Sequence, residues 1–149
     1  MNIKHGTLVM VVDGAKLLIF RNEGDEKYAV LETLSHEEEA SLPSREHGTD
    51  TPGRTRSSVG GRRSSYGETD WHRQSEEEFA HHAARVLEKT AGTHPEAGIV
   101  VIAAPRTLGE LRRHYGRETG RRLLSEIAKD LTGQMTDDVV DVIAKHRAQ

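Results

Sequence analysis

Apolar residues cluster in short runs near the beginning of the chain, and each run ends at a turn signal. Strand-like segments cover residues 7–12, 15–21 and 28–34. The first is apolar throughout, which is typical of a strand buried on both faces, whereas the third alternates apolar and polar residues. Asp13 and Gly14 stand between the first two segments and predict a tight hairpin. This part of the chain therefore predicts a three-strand antiparallel meander.

The second half of the chain alternates helical and strand-like patterns. Apolar residues with helical spacing follow Ser75, whose pairing with Glu78 has the form of a capping box, so we predict a helix beginning near residue 70 or 75. Its apolar stripe consists of Phe79, Ala83, Val86 and Leu87. Gly92 and Pro95 are expected to end this helix.

A second all-apolar run at 98–104 predicts a parallel strand covered by helices. We then expect a short helix capped by Thr107, a fifth strand at 123–128 and a final helix capped by Thr136. The short helix would turn Leu108, Leu111 and Tyr115 inward, and the final helix Val139, Val140 and Ile143.

This order predicts an α/β fold. Three meander strands followed by alternating helices and strands imply a mixed five-stranded sheet with helices packed on its faces. The 149 residues fit one domain. We therefore assign residues 1–149 to a single domain.

A glycine-, serine- and arginine-rich stretch, residues 35–70, interrupts these elements. It contains almost nothing that can enter a core, so we predict a long, flexible polar loop. Residues 52–66 carry a charge of +4 in a chain whose net charge is −3, so the rest of the chain carries −7. A basic loop on a mildly acidic body suits a phosphate-rich partner.

Backbone amides and guanidinium groups in such a loop can contact phosphates, and an aromatic ring can stack on a base. The predicted binding residues are Arg54, Arg56, Gly60, Gly61, Arg62, Arg63 and Tyr66. The alternative is a solvated loop that arginines keep soluble, with Tyr66 and Trp71 pinning it to the body.

Metal-dependent chemistry has weaker support. Asp13 follows the first strand and Glu126 lies in the fifth, but a two-metal site needs several converging carboxylates. We therefore interpret Asp13 mainly as a turn residue. The chain has nine histidines and no cysteine, and the adjacent His81 and His82 would point about 100° apart on a helix. No nucleotide-binding or nucleophile motif is present, and we expect neither metal nor cofactor.

The sequence lacks a signal-peptide pattern and a run of apolar residues long enough to cross a bilayer. We therefore expect a cytoplasmic protein without membrane insertion. The sequence leaves its oligomeric state open.

Several segments resemble the bacterial host attachment family, described as proteins required for attachment to host cells. They are VDGA at 12–15, the polar loop with its Gly-Arg pairs, VVIAAPRTLGELR at 100–112 and KDLT at 129–132. Many members have a second proline and an aromatic residue where this chain has only Pro105 and then Thr107. The matching motif residues are Asp13, Gly14, Pro105, Arg106, Leu108, Gly109, Lys129 and Asp130.

That family is similar to the middle domain of archaeal and eukaryotic class 1 peptide-chain release factors. The resemblance implies a ribonuclease-H-like fold and a Gly-Gly-Gln loop that precedes a long helix. Gly60 and Gly61 occupy the comparable place in this chain. The next residue is Arg62, where the release factors have the glutamine that helps to position water. The hydrolysis of peptidyl-tRNA is therefore not carried over.

Three functions remain open. The first is a release-factor-like domain that binds the ribosome, ribosomal RNA or tRNA through its basic loop. The second is a host-attachment factor that acts on another protein directly, or indirectly through regulation. The third is an enzyme, either a metal-dependent nuclease or a peptidyl-tRNA hydrolase. We favour the first, and thus a role other than catalysis.

Overall fold

The computed structural model describes residues 1–38 and 65–146, with residues 65–74 described as backbone only. These ranges contain five strands and four helices, which we number along the chain. The strands are β1 (Leu8–Val12), β2 (Lys16–Asn22), β3 (Leu31–Glu38), β4 (Ile99–Ala103) and β5 (Leu123–Ala128). The helices are α1 (Ser65–Thr93), α2 (Pro105–Arg112), α3 (Arg117–Arg122) and α4 (Thr136–Lys145).

The strands form one mixed sheet in the order β3-β2-β1-β4-β5. β1 pairs antiparallel with β2, as does β2 with β3. β4 is parallel to both β1 and β5. The predicted α/β class, meander and five-stranded sheet are confirmed, and the ribonuclease-H-like assignment stays a prediction.

The core lies on both faces of the central strands β1 and β4, whose residues are all buried. Alternate residues of a strand point to opposite faces. Met10 therefore belongs to a cluster with Phe79 of α1 and Leu111 of α2, whereas Val11 belongs to a cluster with Ile143 of α4. The prediction that both apolar runs are covered on two sides is confirmed.

The predicted third strand was displaced, because β3 covers Leu31–Glu38 rather than residues 28–34. Residues 25–28 form a turn in which Asp25 Oδ1 accepts hydrogen bonds from the backbone amides of Lys27 and Tyr28. The amide of Val30 donates to the buried side chain of Asn22 instead of entering the ladder. As an edge strand with an exposed face, β3 can continue through polar residues.

The predicted polar loop was too long at both ends. Ser35 to Glu38 belong to β3, and α1 begins at Ser65, so Ser75 lies inside the helix and is buried rather than a cap. Thr107 and Thr136 are not caps either. The residue before α2 is Ala104, and Pro105 is the first residue of that helix. The residue before α4 is Met135. Neither Ala104 nor Met135 makes a side-chain cap hydrogen bond.

The sequence did not predict α3, a six-residue helix whose ends are bound by side chains distant in the chain. At its beginning, the carboxylate of Glu88 accepts hydrogen bonds from the amides of Glu118 and Thr119, at 3.0 and 2.9 Å. At its end, Arg122 donates to the carbonyls of Ala91 and His94, at 2.7 and 2.9 Å. Both contacts join α3 to the last turns of α1.

None of the helices within the described residues is long and apolar enough to cross a membrane.

Candidate functional site at the carboxyl edge of the sheet

The parallel strands β1, β4 and β5 end on the same side of the sheet, which we call the carboxyl edge. Open α/β sheets commonly bind ligands just beyond this edge. Six of the eight motif residues directly follow these strands: Asp13, Gly14, Pro105, Arg106, Lys129 and Asp130. The fold therefore brings three distant parts of the predicted family motif to one edge.

Asp13 connects two of these parts. Its Oδ1 accepts hydrogen bonds from the amides of Ala15 and Lys16, at 2.7 and 2.6 Å, and its Oδ2 accepts one from the hydroxyl of Thr132 at 2.7 Å. The same hydroxyl lies 3.0 Å from Asp130 Oδ1, so its single proton is donated to one carboxylate at a time. Asp13 thus acts as the turn residue we predicted and also holds the 129–132 segment.

The hairpin turn lies one residue later than its sequence signal. Asp13 pairs with Lys16 through a backbone hydrogen bond of 3.0 Å, so Gly14 and Ala15 are the central residues. A Cβ atom on Gly14 would lie 3.0 Å from Glu76 Cγ. The glycine therefore lets α1 approach the turn closely.

Arg106 extends this connection from α1 to α2. Its guanidinium group lies 3.5 Å from the carboxylate of Glu76 in an exposed ion pair. Leu108 is buried in the core, whereas Gly109 is exposed, with open space where its side chain would be. Within the motif, Leu108 therefore supports packing, whereas Asp13, Gly14 and Arg106 form the edge.

The edge carries acidic side chains, among them Glu76 and Glu110, next to the cations Lys16, Arg106 and Lys129. Partial burial raises the pKa of Glu110, and the nearby charges of Glu76 and Glu77 add to the rise, whereas Arg106 and Arg113 oppose it. A phosphate at this position would face several carboxylates.

The two elements that flank the segment 39–64, β3 and α1, both contact the hairpin turn at the carboxyl edge. Glu38, the last residue of β3, pairs with Lys16 beside the hairpin turn. Glu76 lies at the same turn, and α1 begins eleven residues earlier at Ser65. Since an α-helix rises 1.5 Å per residue, the first part of α1 extends about 16 Å beyond the contact. A hydrogen bond of 2.8 Å between Glu37 and His82 also joins β3 to α1.

Most of the predicted RNA-binding residues lie outside the described residues: Arg54, Arg56, Gly60, Gly61, Arg62 and Arg63. Tyr66 is the second residue of α1, and Trp71 lies in its second turn. Both aromatic residues are therefore in the projecting part of the helix.

Asp13 and Glu126 are not brought together, because Asp13 follows β1, Glu126 lies in β5, and β4 lies between these two strands. The Glu126 carboxylate accepts hydrogen bonds from Arg112 Nε at 2.9 Å and from the Tyr115 hydroxyl at 2.6 Å. Burial would raise the pKa of Glu126, but these two hydrogen bonds lower it. Burial and the bond to Glu126 raise the pKa of Tyr115. Glu126 therefore has a structural role, as a link between β5 and α2.

Within residues 1–38 and 75–146, we find no group of three or more histidine, aspartate or glutamate side chains placed to hold a metal ion. The adjacent histidines point apart as expected, since His82 bonds to Glu37 whereas His81 stacks on His114. Sequence reasoning did not anticipate that Glu76 and Thr132 tie the edge together. Only the KDLT segment carried a signal for Thr132.

Comparison with known families adds a match over almost the whole chain. The sequence model of bacterial archaeo-eukaryotic release factor family 12 matches residues 6–143. This range includes the carboxyl edge and the segment between β3 and α1. The comparison with curated proteins found no match.

Proposed function

Because this chain belongs to bacterial archaeo-eukaryotic release factor family 12, we propose that it is a release-factor-like domain that binds RNA, alone or within the ribosome. The basic loop between β3 and α1 makes the contact through Arg54, Arg56, Arg62 and Arg63 and the Gly60–Gly61 backbone, and Tyr66 adds to it from the beginning of α1. The RNA is ribosomal RNA or tRNA. The host-attachment role stays a prediction.

The observation that carries this proposal is the position of the two described residues that flank the loop, Glu38 and Ser65. Glu38 ends β3 beside the hairpin turn at the carboxyl edge, whereas Ser65 begins α1 about 16 Å beyond the contact of α1 with Gly14. A loop mounted on a projecting helix can enter a groove that is too narrow for the sheet. The hydrogen bond between Glu37 and His82 joins the end of β3, from which the loop starts, to α1.

The distribution of charge supports the same assignment. The edge mixes the acids Asp13, Glu76, Glu110 and Asp130 with the cations Lys16, Arg106 and Lys129. The loop carries four arginines and no acid between residues 52 and 66, so its charge is uniformly attractive to phosphate. Phosphate contacts through Lys and Arg release counterions and dominate affinity for nucleic acids. The loop therefore binds while the edge supports it.

The domain does not repeat the release reaction in this proposal. Arg62 follows the glycine pair where glutamine would help to position water, and a guanidinium group is a permanent cation without a proton acceptor. The contribution of Arg62 is charge, which favours binding to phosphate over activation of water. We expect no hydrolysis of peptidyl-tRNA by the wild-type chain.

The experiment is co-sedimentation with ribosomes, combined with fluorescence anisotropy on a single-stranded RNA oligonucleotide. The test variant changes all four loop arginines to glutamine, and the matched control changes the same four to lysine, which keeps the charge. A second variant replaces residues 52–63 with a glycine-serine linker of equal length and leaves α1 intact.

We expect at least a tenfold loss of affinity for the glutamine and linker variants, and near-wild-type binding for the lysine control. Equal binding by the wild type and the glutamine variant would refute the role of the loop. Absence of RNA and ribosome binding by the wild type would refute the function.

A further inference from the structure

α1 runs beside the segment that connects α2 to the beginning of α3, and two contacts define how they meet. The rings of His81 and His114 stack with centroids 4.3 Å apart and planes inclined by 17°. Seven residues further along α1, Glu88 binds the backbone amides of Glu118 and Thr119. These contacts are about 10 Å apart along the helix. We call the surface along this line the α1–α3 seam.

Four cationic residues belong to the two elements of the seam. Arg85 lies one turn after His81 on the same side of α1, between the two contacts, and Lys89 lies one turn further. Arg113 adjoins His114, and Arg117 is the first residue of α3. All four are exposed. The seam therefore combines a pair of imidazole rings with four exposed positive charges.

Two carboxylates beside the seam, those of Glu88 and Glu118, are engaged by other groups. Glu88 binds two backbone amides and the hydroxyl of Thr119. Glu118 lies 2.6 Å from Arg121 and 3.4 Å from Arg122.

No carboxylate among the side chains described in the structure forms an ion pair with Arg85, Lys89, Arg113 or Arg117. Arg113 lies close enough to Glu110 for its charge to lower the pKa of that carboxyl group. The positive charges of Arg85, Lys89 and Arg117 are therefore the ones most available to an outside anion, with Arg113 beside them.

The histidine pair adds an aromatic surface to this charge. Partial desolvation, together with the neighbouring His114 and Arg85, lowers the pKa of His81. The lowered pKa favours the uncharged His81 ring, which is the form that stacks on His114 with less repulsion. Aromatic side chains beside basic groups are the usual platform for single-stranded nucleic acid, because every base has a face that can stack.

We propose that the α1–α3 seam is a second contact site for single-stranded RNA, in which the four cations bind phosphates and the His81–His114 pair stacks on a base. This inference rests on the proposed function, since it extends the same RNA along α1. Sixteen residues separate Ser65 from His81, so the seam lies about 24 Å along the helix from the end of the loop. An acidic protein surface could also pair with the four seam cations, but its binding would not depend on the stacked rings of His81 and His114.

The experiment measures the affinity of the full chain for a single-stranded RNA oligonucleotide by anisotropy as salt is increased. One variant changes the four seam cations to glutamine, and its control changes three exposed lysines elsewhere, Lys4, Lys27 and Lys145. For the stack, His81→Ala is compared with His81→Phe, which keeps an aromatic ring. Circular dichroism verifies that each variant is folded.

We expect the seam variant to bind about tenfold more weakly or worse, and to lose up to about three units from the salt slope, because each phosphate contact contributes about 0.7 on single strands. His81→Ala should weaken binding by about fivefold or more, and His81→Phe should restore it. The control variant changed at Lys4, Lys27 and Lys145 should bind RNA as tightly as the wild type does.

Two results would overturn the inference. If the seam variant binds RNA as tightly as the wild type while the loop variant does not, the loop alone binds RNA and only the seam proposal is wrong. If the cations matter but His81→Ala changes nothing, the surface recognises charge without stacking, as an acidic protein would require. Failure of the wild type to bind any RNA would instead remove the proposed function, and the seam proposal with it.

Discussion

Replacement of Glu88 by alanine tests the packing of α1 on α3. The Glu88 carboxylate is the acceptor for three hydrogen bonds of 2.9–3.0 Å, from the amides of Glu118 and Thr119 and from the Thr119 hydroxyl. Gly116, the residue before α3, makes no side-chain cap hydrogen bond, so Glu88 supplies the cap from another helix. Glu88→Ala leaves the two amides at the beginning of α3 without this partner.

The expected cost follows from these contacts. Loss of a helix cap costs about 0.5–2 kcal/mol, and a hydrogen bond to a charged group contributes about 1.5–3 kcal/mol. Because water can reach the half-buried site and satisfy part of the loss, we expect the free energy of unfolding to fall by about 2–3 kcal/mol. For a chain of this length, the midpoint of thermal unfolding falls by about 2–4 °C per kcal/mol.

The dependence on pH gives a second readout. Burial alone would raise the pKa of Glu88, but the amide and hydroxyl hydrogen bonds and the charge of Arg122 bring it below its usual value of 4.5. A carboxylate with a lowered pKa in the folded state stabilises the fold above the pKa of the unfolded chain, and this stabilisation disappears as the pH falls through the lower folded value. The difference between the wild type and Glu88→Gln should therefore be present at pH 7 and shrink below about pH 4.

Thermal unfolding followed by circular dichroism measures both effects, with Glu78→Ala, an exposed position on α1, as the control. We expect a midpoint lower by about 4–12 °C for Glu88→Ala and within about 1 °C of wild type for the control. A midpoint unchanged by Glu88→Ala would mean that α3 does not depend on this carboxylate, and the described seam geometry would be wrong.

Two further sets of substitutions are predicted from the structure. Gly109→Ala should stabilise the chain by about 0.5–1 kcal/mol, because its Cβ meets open space on a helix. Gly116→Ala should destabilise the chain, because a Cβ there would lie 2.3 Å from Glu88 Cδ. Urea denaturation measures the free energy of unfolding of both variants, and equal changes would contradict the environments assigned to the two glycines. Asp13→Ala and Thr132→Val should each lower the free energy of unfolding by about 1–2 kcal/mol. The double variant should lose less than the sum of the two, because the two side chains share one hydrogen bond. A double-mutant cycle by urea denaturation measures this coupling, and strictly additive losses would argue against the bond.

The central strands were predictable from sequence because their environment is uniform. β1 and β4 are buried on both faces, so every residue carries the same apolar signal. The stripe that contains Phe79 and Leu87 likewise gave the packed part of α1. Burial that repeats with the period of an element is visible in sequence, and these elements supply most of the core.

The elements that were missed depend on contacts between distant residues. The position of β3 follows from the turn around Asp25 and from the hydrogen bonds of Asn22, and the local apolar alternation indicated an earlier start. α3 depends on Glu88 and Arg122, which act across about 30 positions of sequence. A local pattern contains no information about such contacts.

The residues of the carboxyl edge were predictable in part, because the family resemblance pointed to them. The resemblance singled out Asp13, Arg106 and Asp130, and the parallel strand order brings all three to one edge. Neither Glu76 nor Thr132 was predicted as a site residue, because each acts through a residue from another element. The role of the loop arginines stays a prediction, since these residues lie outside the described ranges.

The salt dependence of RNA affinity shows directly whether the loop arginines contact phosphates. The logarithm of the association constant is measured against the logarithm of salt concentration for the wild type and for the variant with glutamine at Arg54, Arg56, Arg62 and Arg63. If the loop contacts phosphates, the wild type has a steep negative slope and the variant loses up to about three units of it, at about 0.7 per contact. Identical slopes for the two proteins would contradict the account, because RNA would then be bound without these arginines.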